Sequence, residues 1–145
     1  DYGINAMRSA TNILIVGAGE STMAMCSNIS SNFSIVTVWP PKLNFIYQER
    51  ITNCAMENRC VSIRNIVGDK ELNIASEAGD IISRMNKSNS STLNRAIEEI
   101  KLAVEEDGAE SIILGCTCMA KIAPEIADQV NIPVLEPVKE NRSYL

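Results

Sequence analysis

The residues best suited to chemistry lie in one run, Ser111-Ile112-Ile113-Leu114-Gly115-Cys116-Thr117-Cys118-Met119-Ala120. An apolar stretch stops at a glycine, presents a cysteine, and then turns polar and helix-like. Unbroken Ile and Leu without polar alternation is the pattern of a parallel strand covered on both faces, and open α/β sheets bind ligands outside the carboxyl ends of such strands. Cys116 falls at that end. Gly115 lets the backbone approach a ligand closely, and Thr117 can cap the turn that follows, leaving amide N–H groups that favour an anion or a thiolate. The chemistry this predicts is a thiolate that attacks or takes a proton. A cysteine that only packs is the alternative, because free cysteine is among the most buried residue types.

Little else in the chain competes for that role. There is no histidine, which removes Ser-His and Cys-His couples. A zinc site would need four ligands from cysteine and carboxylate, and Cys26, Cys54 and Cys60 are scattered away from Cys116 and Cys118, so no metal is expected. The glycine loop Gly17-Ala18-Gly19-Glu20-Ser21-Thr22 follows an apolar run and opens a helix, as a dinucleotide fingerprint does. The match is partial: Thr22 stands where the third small residue belongs, and no acidic residue ends the next strand. The loop reads as a tight turn that lets the backbone approach a smaller anion.

These residues need a scaffold, and the composition supplies one. The chain has 145 residues, 46% of them apolar, enough for a single core of ordinary size. A net charge of -5 gives no basic stripe for nucleic acid, and no lysine or arginine run suggests a membrane surface. Apolar runs such as Ile13 to Val16 are too short to span a bilayer, and no leader opens the chain, so a soluble cytoplasmic protein is expected. Five cysteines without regular spacing read as reduced thiols.

Hydrophobic periodicity sets out the elements. Gly3 to Ala10 reads as helix, Ile13 to Val16 as strand, and Glu20 to Ile29 as helix with Met23, Cys26 and Ile29 on one face. A strand over Phe33 to Val38 ends at Trp39-Pro40-Pro41, and a helix follows from Pro41 or Lys42 to about Met56, with Ile46, Ile51 and Cys54 as its stripe. Cys60 to Val67 alternates as a strand. A short helix near Ala75 to Met85 and a polar loop over Asn86 to Ser91 come next. Leu93, Ala96, Ile97, Ile100 and Val104 mark an amphipathic helix that Asp107-Gly108 ends. After the strand carrying Cys116, Met119 to Val130 is helical with Pro124 kinking or restarting it, and Ile132 to Leu135 is a last short strand. Strand and helix alternate throughout, the signature of a parallel, doubly wound α/β sheet.

Several of these pieces, in order, resemble one family. Gly115-Cys116-Thr117-x-Met119, after Ala103-Val104-Glu105-Glu106-Asp107-Gly108-Ala109 and Glu110 to Leu114, is similar to the carboxyl-half active-site segment of the aspartate/glutamate/hydantoin racemase superfamily, nearest its hydantoin and allantoin racemase branch. Asp1 to Ala6, Val16 to Glu20, Phe33 to Thr37 and Asn131 to Val134 resemble further segments in register. The resemblance implies an α/β fold with a parallel four-stranded sheet flanked by helices, one half of a two-domain pseudo-symmetric enzyme, with residues 1–12 ending the preceding half, 13–135 forming the domain and 136–145 a tail.

It implies a cofactor-independent racemase or epimerase, in which one cysteine removes the proton of a carbon acid and another protonates the opposite face. Cys116 would be one of the two. Thr37, Val38, Thr117, Gly17 and Glu20 would contact a small-molecule substrate, a hydantoin, allantoin or an acidic amino acid. No cofactor would be needed, and a homo-oligomer is the expected assembly. The departures are specific: Cys118 stands where glycine is common, Val38 where a second threonine is usual, and the family's first cysteine would fall just before Asp1. The expectation is therefore a fragment with one catalytic thiol. Decarboxylation or cis-trans isomerisation by a single cysteine, and a non-catalytic module holding a small anion, are the competing readings.

Overall fold

A computed structural model describes residues 1–68 and 91–138. Four strands, β1 (Phe33–Thr37), β2 (Cys60–Asn65), β3 (Ser111–Leu114) and β4 (Val134–Leu135), pair in parallel in the order β2-β1-β3-β4. The expected parallel α/β sheet is what the chain forms. Central β1 sets Ile35 beside Ile63 on β2 and Ile113 on β3.

Successive side chains of a strand point to opposite faces, so an unbroken apolar run requires cover on both. Both covers are present. Phe33, Ile35, Ile113 and Leu135 meet Met23 and Cys26 of helix α2 (Ala18–Ile29) and Ile51 of α3 (Phe45–Asn53). On the other face Val36, Val38, Ile112 and Leu114 meet Leu93, Ala96, Ile97 and Ile100 of α4 (Ser91–Glu105) and Ile126 of α5 (Ala123–Ala127). The α4 stripe is the expected one except in its last turn, where Ala103 is buried and Val104 only half-buried. Gly108 then turns the chain toward β3 at φ 74°, a left-handed conformation in which a Cβ would be strained. Pro124 restarts the helix rather than kinking it: a 3-10 turn spans Thr117–Met119, and α5 begins with the proline in its first turn, where a missing N–H costs no helical bond.

One expected strand is absent. Ile13, Leu14 and Val16 are 76%, 87% and 60% exposed, and residues 13–16 pair with no strand among the described residues. Their β-branched composition satisfies propensity, but a strand also needs a neighbouring ladder. Here the backbone is tied by a side chain instead, the Arg8 guanidinium donating to Ile15 O at 3.0 and 3.1 Å. Arg8 belongs to α1 (Ile4–Ala10), whose Ile4 is buried near Gly17, so residues 1–12 pack onto the start of α2. Other boundaries shift. Ile29 is exposed, β1 stops at Thr37, and the helix expected from Pro41 divides into a 3-10 turn at Pro41–Leu43 and α3, beyond which Ala55 takes a positive φ. The helix expected near residues 75–85, nearly all of the polar loop after it, and the tail beyond 138 lie outside the described residues.

The strand order places a site. From β1 the chain moves outward to β2, then crosses back over β1 to β3 on its other side. Where the order reverses, the connections leave in opposite directions and a crevice opens outside the carboxyl ends of β1 and β3.

Candidate active site

Gly115 is the first residue past the β3 ladder, and its two peptide groups go to different partners. Its N–H donates to Val36 O of β1 at 2.8 Å, while its carbonyl accepts from Tyr47 Oη of α3 at 2.8 Å. A Cβ on Gly115 would lie 2.9 Å from Ile35 Cγ2, 3.0 Å from Thr37 Cβ and 3.0 Å from Tyr47 Oη. Glycine is required here by space. Cys116 follows in extended backbone and caps the 3-10 turn, its Sγ accepting from Cys118 N–H at 3.4 Å. A hydrogen bond donated to sulfur favours the thiolate.

The tight turn also brings the two cysteines together. Cys116 and Cys118 form a disulfide, with Cα atoms 5.2 Å apart. The expectation of five reduced thiols is corrected for this pair, while Cys26, Cys54 and Cys60 remain thiols. Because the thiolate is the reactive form, the Cys116 sulfur is neither base nor nucleophile while this bond is intact. The remaining three sit on the α2–α3 side of the sheet: Cys26 is buried in that core, and Cys54 and Cys60 pack against it. Burial pushes the Cys60 thiol up to about 12, and burial together with the Glu20 carboxylate raises Cys54.

In front of Gly115 and Thr117 opens a cavity of about 200 Å³, with Tyr2, Met23, Trp39 and Tyr47 among its walls. Two charged side chains also line it, and both are engaged. Arg50, only 5% exposed, donates to Glu20 Oε1 at 3.2 Å and Glu49 Oε1 at 2.8 Å. The Asp1 carboxylate accepts from Glu20 N–H at 2.8 Å.

The residues singled out from the sequence are thus divided. Thr117 is exposed and lines the cavity, whereas the half-buried Cys116 between Gly115 and Thr117 packs against the α4-side core and is not among the cavity walls. Thr37 is fully buried behind it, with Oγ1 2.6 Å from Tyr47 Oη. Val38 is fully buried in the α4-side core, so its side chain does not reach the cavity. The Gly17 loop already holds an anion, the chain's own Asp1 carboxylate at the N-terminus of α2, where the helix dipole favours it. A Cβ on Gly17 would come within 2.8 Å of that carboxylate and 2.6 Å of Ile4 Cδ1. The Glu20 side chain takes Arg8 at 2.7 Å and Arg50 at 3.2 Å, joining α1, α2 and α3.

Tyr47, Arg50 and Trp39 carry no mark of a site in the sequence. One signal was available: Tyr47 and Ile51 share a face of α3 at the i, i+4 spacing, and a tyrosine on a buried face needs a partner for its hydroxyl. Burial pushes the Tyr47 phenol up to about 12, the hydrogen bond with Thr37 offsetting only part, so it is a neutral donor at any ordinary pH. Among the described residues no group of three or more cysteines and carboxylates is gathered for a metal ion, and no helix is long and apolar enough to cross a membrane.

Comparison with known proteins adds to this geometry. A family model described as Asp/Glu/Hydantoin racemase matches residues 1–141. Hydantoin racemases from Pseudomonas sp. (strain NS671) and Paenarthrobacter aurescens are each 32% identical over 139 residues, covering 95% and 96% of this chain and 50% and 53% of their own lengths. The chain therefore spans about half the length of the curated relatives it matches. Among solved structures, an allantoin racemase from Klebsiella pneumoniae aligns with a TM-score of 0.67 at 23% identity, covering 89% of this chain and 47% of that one. One from Pseudomonas fluorescens aligns with a TM-score of 0.70 at 22% identity, over 92% and 52%. At these identities the structural likeness speaks for the fold.

Proposed function

Because the chain belongs to the Asp/Glu/hydantoin racemase family, we propose that it contributes one catalytic thiol, Cys116, to cofactor-independent racemisation at a carbon acid. The observation that carries this reading is the position of Cys116, at the switch point of the sheet, between the two cavity-lining residues Gly115 and Thr117. In the reduced protein the Cys116 thiolate takes the α-proton, forming S–H, and the C–H electron pair passes to the adjacent carbonyl as an enolate. Return of a proton to the opposite face inverts the centre, and a group on that face must supply it.

The walls favour an uncharged ring over a dicarboxylate. Of the two charged side chains at the cavity, Arg50 is paired with Glu20 and Glu49 and Asp1 is an anion that accepts from Glu20 N–H, so neither offers a cation to a carboxylate, and the Tyr2, Met23, Trp39 and Ile46 walls offer apolar and aromatic contact. A hydantoin with an apolar 5-substituent suits that surface better than aspartate or glutamate. Thr117 is the substrate contact. Thr37, Gly17 and Glu20 support the site from behind and from the opposite wall, and Val38 acts through the core.

A second reading has one observation in its favour: every other cysteine except Cys118 packs on the α2–α3 side of the sheet. One-thiol chemistry, isomerisation or decarboxylation, would fit such a site. The test is hydrogen–deuterium exchange in deuterated water, followed by proton NMR with reductant present, on single-enantiomer 5-substituted hydantoins, allantoin, aspartate and glutamate. Exchange above the Cys116→Ser control on the hydantoins is expected. Decay of optical rotation in step with exchange supports racemisation, and exchange with retained configuration supports a thiol acting alone. No exchange above the control on any substrate refutes the assignment of Cys116.

A further inference from the structure

We propose that Tyr47 is the positioning residue for Cys116, its hydroxyl fixing the Gly115–Cys116 peptide and with it the direction of the sulfur. This rests on Cys116 being the reacting thiol.

The hydrogen-bond directions follow from a count of protons. Gly115 O can only accept, so the single Tyr47 hydroxyl proton goes to it at 2.8 Å. Thr37 Oγ1, 2.6 Å from Tyr47 Oη, must then donate to the phenol oxygen. The Trp39 N–H in turn approaches Thr37 Oγ1 at 3.3 Å. The result is a directed chain from the end of β1, through α3, to the last carbonyl before Cys116. Each hydrogen bond polarises the next.

The placement leaves Gly115 little freedom. Its N–H is held by β1 and its carbonyl by Tyr47, and the space where a side chain would go is filled by Ile35, Thr37 and Tyr47 itself. The carbonyl that would otherwise continue the sheet is turned aside at this point, and the chain leaves β3 into the turn that carries the thiol. That turn holds Cys116 Sγ against Cys118 N–H at 3.4 Å, an ordinary length for a sulfur acceptor, and its alignment depends on the orientation of the preceding peptide. The phenol touches the reacting residue only through the backbone. Buried and neutral, it remains a donor across the working range of a thiol.

The test reads the thiol directly. In a Cys118→Ala background, where the disulfide cannot form and the backbone N–H at 118 remains, the rate of Cys116 alkylation by iodoacetamide is followed against pH by peptide mass spectrometry. Tyr47→Phe in that background removes one oxygen and keeps the ring. The expected result is a rise in the apparent Cys116 pKa by about half a unit, a roughly threefold slower alkylation at neutral pH. Alkylation of Cys54 should be unchanged. A loss of melting temperature alone would be the mark of a merely structural hydroxyl, and coincident pH–rate profiles overturn the proposal. Should Tyr47→Phe fail to fold, Thr37→Val carries the same test by removing the donor to Tyr47, with a smaller shift of the same sign expected and an unchanged profile again overturning it. Absence of substrate exchange in the unmodified protein would count against the racemase reading and leave this readout intact.

Discussion

Replacing Gly115 with alanine sets two well-understood effects against each other. The φ of Gly115 lies outside the left-handed range, so alanine is conformationally acceptable, and on unfolded-state entropy alone it should stabilise the protein by about 0.4–1 kcal/mol. The structure predicts the opposite sign. The new Cβ would meet Ile35 Cγ2 at 2.9 Å, Thr37 Cβ at 3.0 Å and Tyr47 Oη at 3.0 Å, and the first two belong to the central strand and cannot swing away. Overpacking of this kind costs about 1–3 kcal/mol. If Tyr47 is the group that gives way, its bond to Gly115 O is lost as well, for a further ~1 kcal/mol. The balance is a destabilisation of about 1–3 kcal/mol, or a melting temperature lower by about 3–10 °C for a chain of this size. Urea denaturation of reduced protein, followed by circular dichroism, measures it. Combining Gly115→Ala with Tyr47→Phe should cost less than the sum of the two, because the phenylalanine removes one of the three contacts. An unchanged or higher stability for Gly115→Ala would refute the packing of the β3 terminus described above.

Two further outcomes test the fold and its electrostatics. Leu114→Ala, at the fully buried carboxyl end of β3, should cost about 2–5 kcal/mol, whereas Leu14→Ala, in the apolar run that forms no strand, should stay within about 0.5 kcal/mol by the same urea titration; comparable losses would mean that residues 13–16 are packed after all. Arg64 binds Asp107 at 2.6 Å, with Glu106 and Glu99 beside it, and its guanidinium holds the Asp107 carboxyl below the usual range. A depressed carboxylate stabilises the folded state above its unfolded pKa and loses that contribution as pH falls through the folded one. Asp107→Asn should therefore cost about 1 kcal/mol at pH 7 and progressively less below about pH 4; a difference that does not change with pH contradicts the ion pair.

The parallel sheet was legible because its signal is local. Ile35-Val36 and Ile112 to Leu114 are short β-strand-like apolar runs, and the α4 stripe at Leu93, Ala96, Ile97 and Ile100 has the helical period, so each run reports its own environment. Ile13 to Val16 reads the same way and misleads for the same reason: composition records a tendency to pair and carries no information about a partner. Gly17 and Glu20 show a subtler limit. The glycine loop reads in the sequence as one that lets an anion approach a helix N-terminus, and the anion found there is Asp1, supplied from within the chain.

What the sequence could not show is the set of contacts that makes the site. Tyr47 and Gly115 are 68 residues apart, Arg50 and Glu20 are 30 apart, and Thr37 meets Tyr47 across the connection from β1 to α3. No spacing rule links these positions. They are brought together by the crossover that puts β3 beside β1, and the same crossover gives the crevice its chemistry. With Glu20 held by two arginines and Arg50 by two carboxylates, the arginine charges near the cavity are met within the protein, and the other charged side chain there, Asp1, is an anion. The cavity then presents mainly aromatic and apolar walls, with Thr117 at its rim, rather than a free cation. On the racemase reading these ion pairs favour an uncharged ring over an acidic amino acid, a choice that Cys116 alone, however clear in the sequence, does not make.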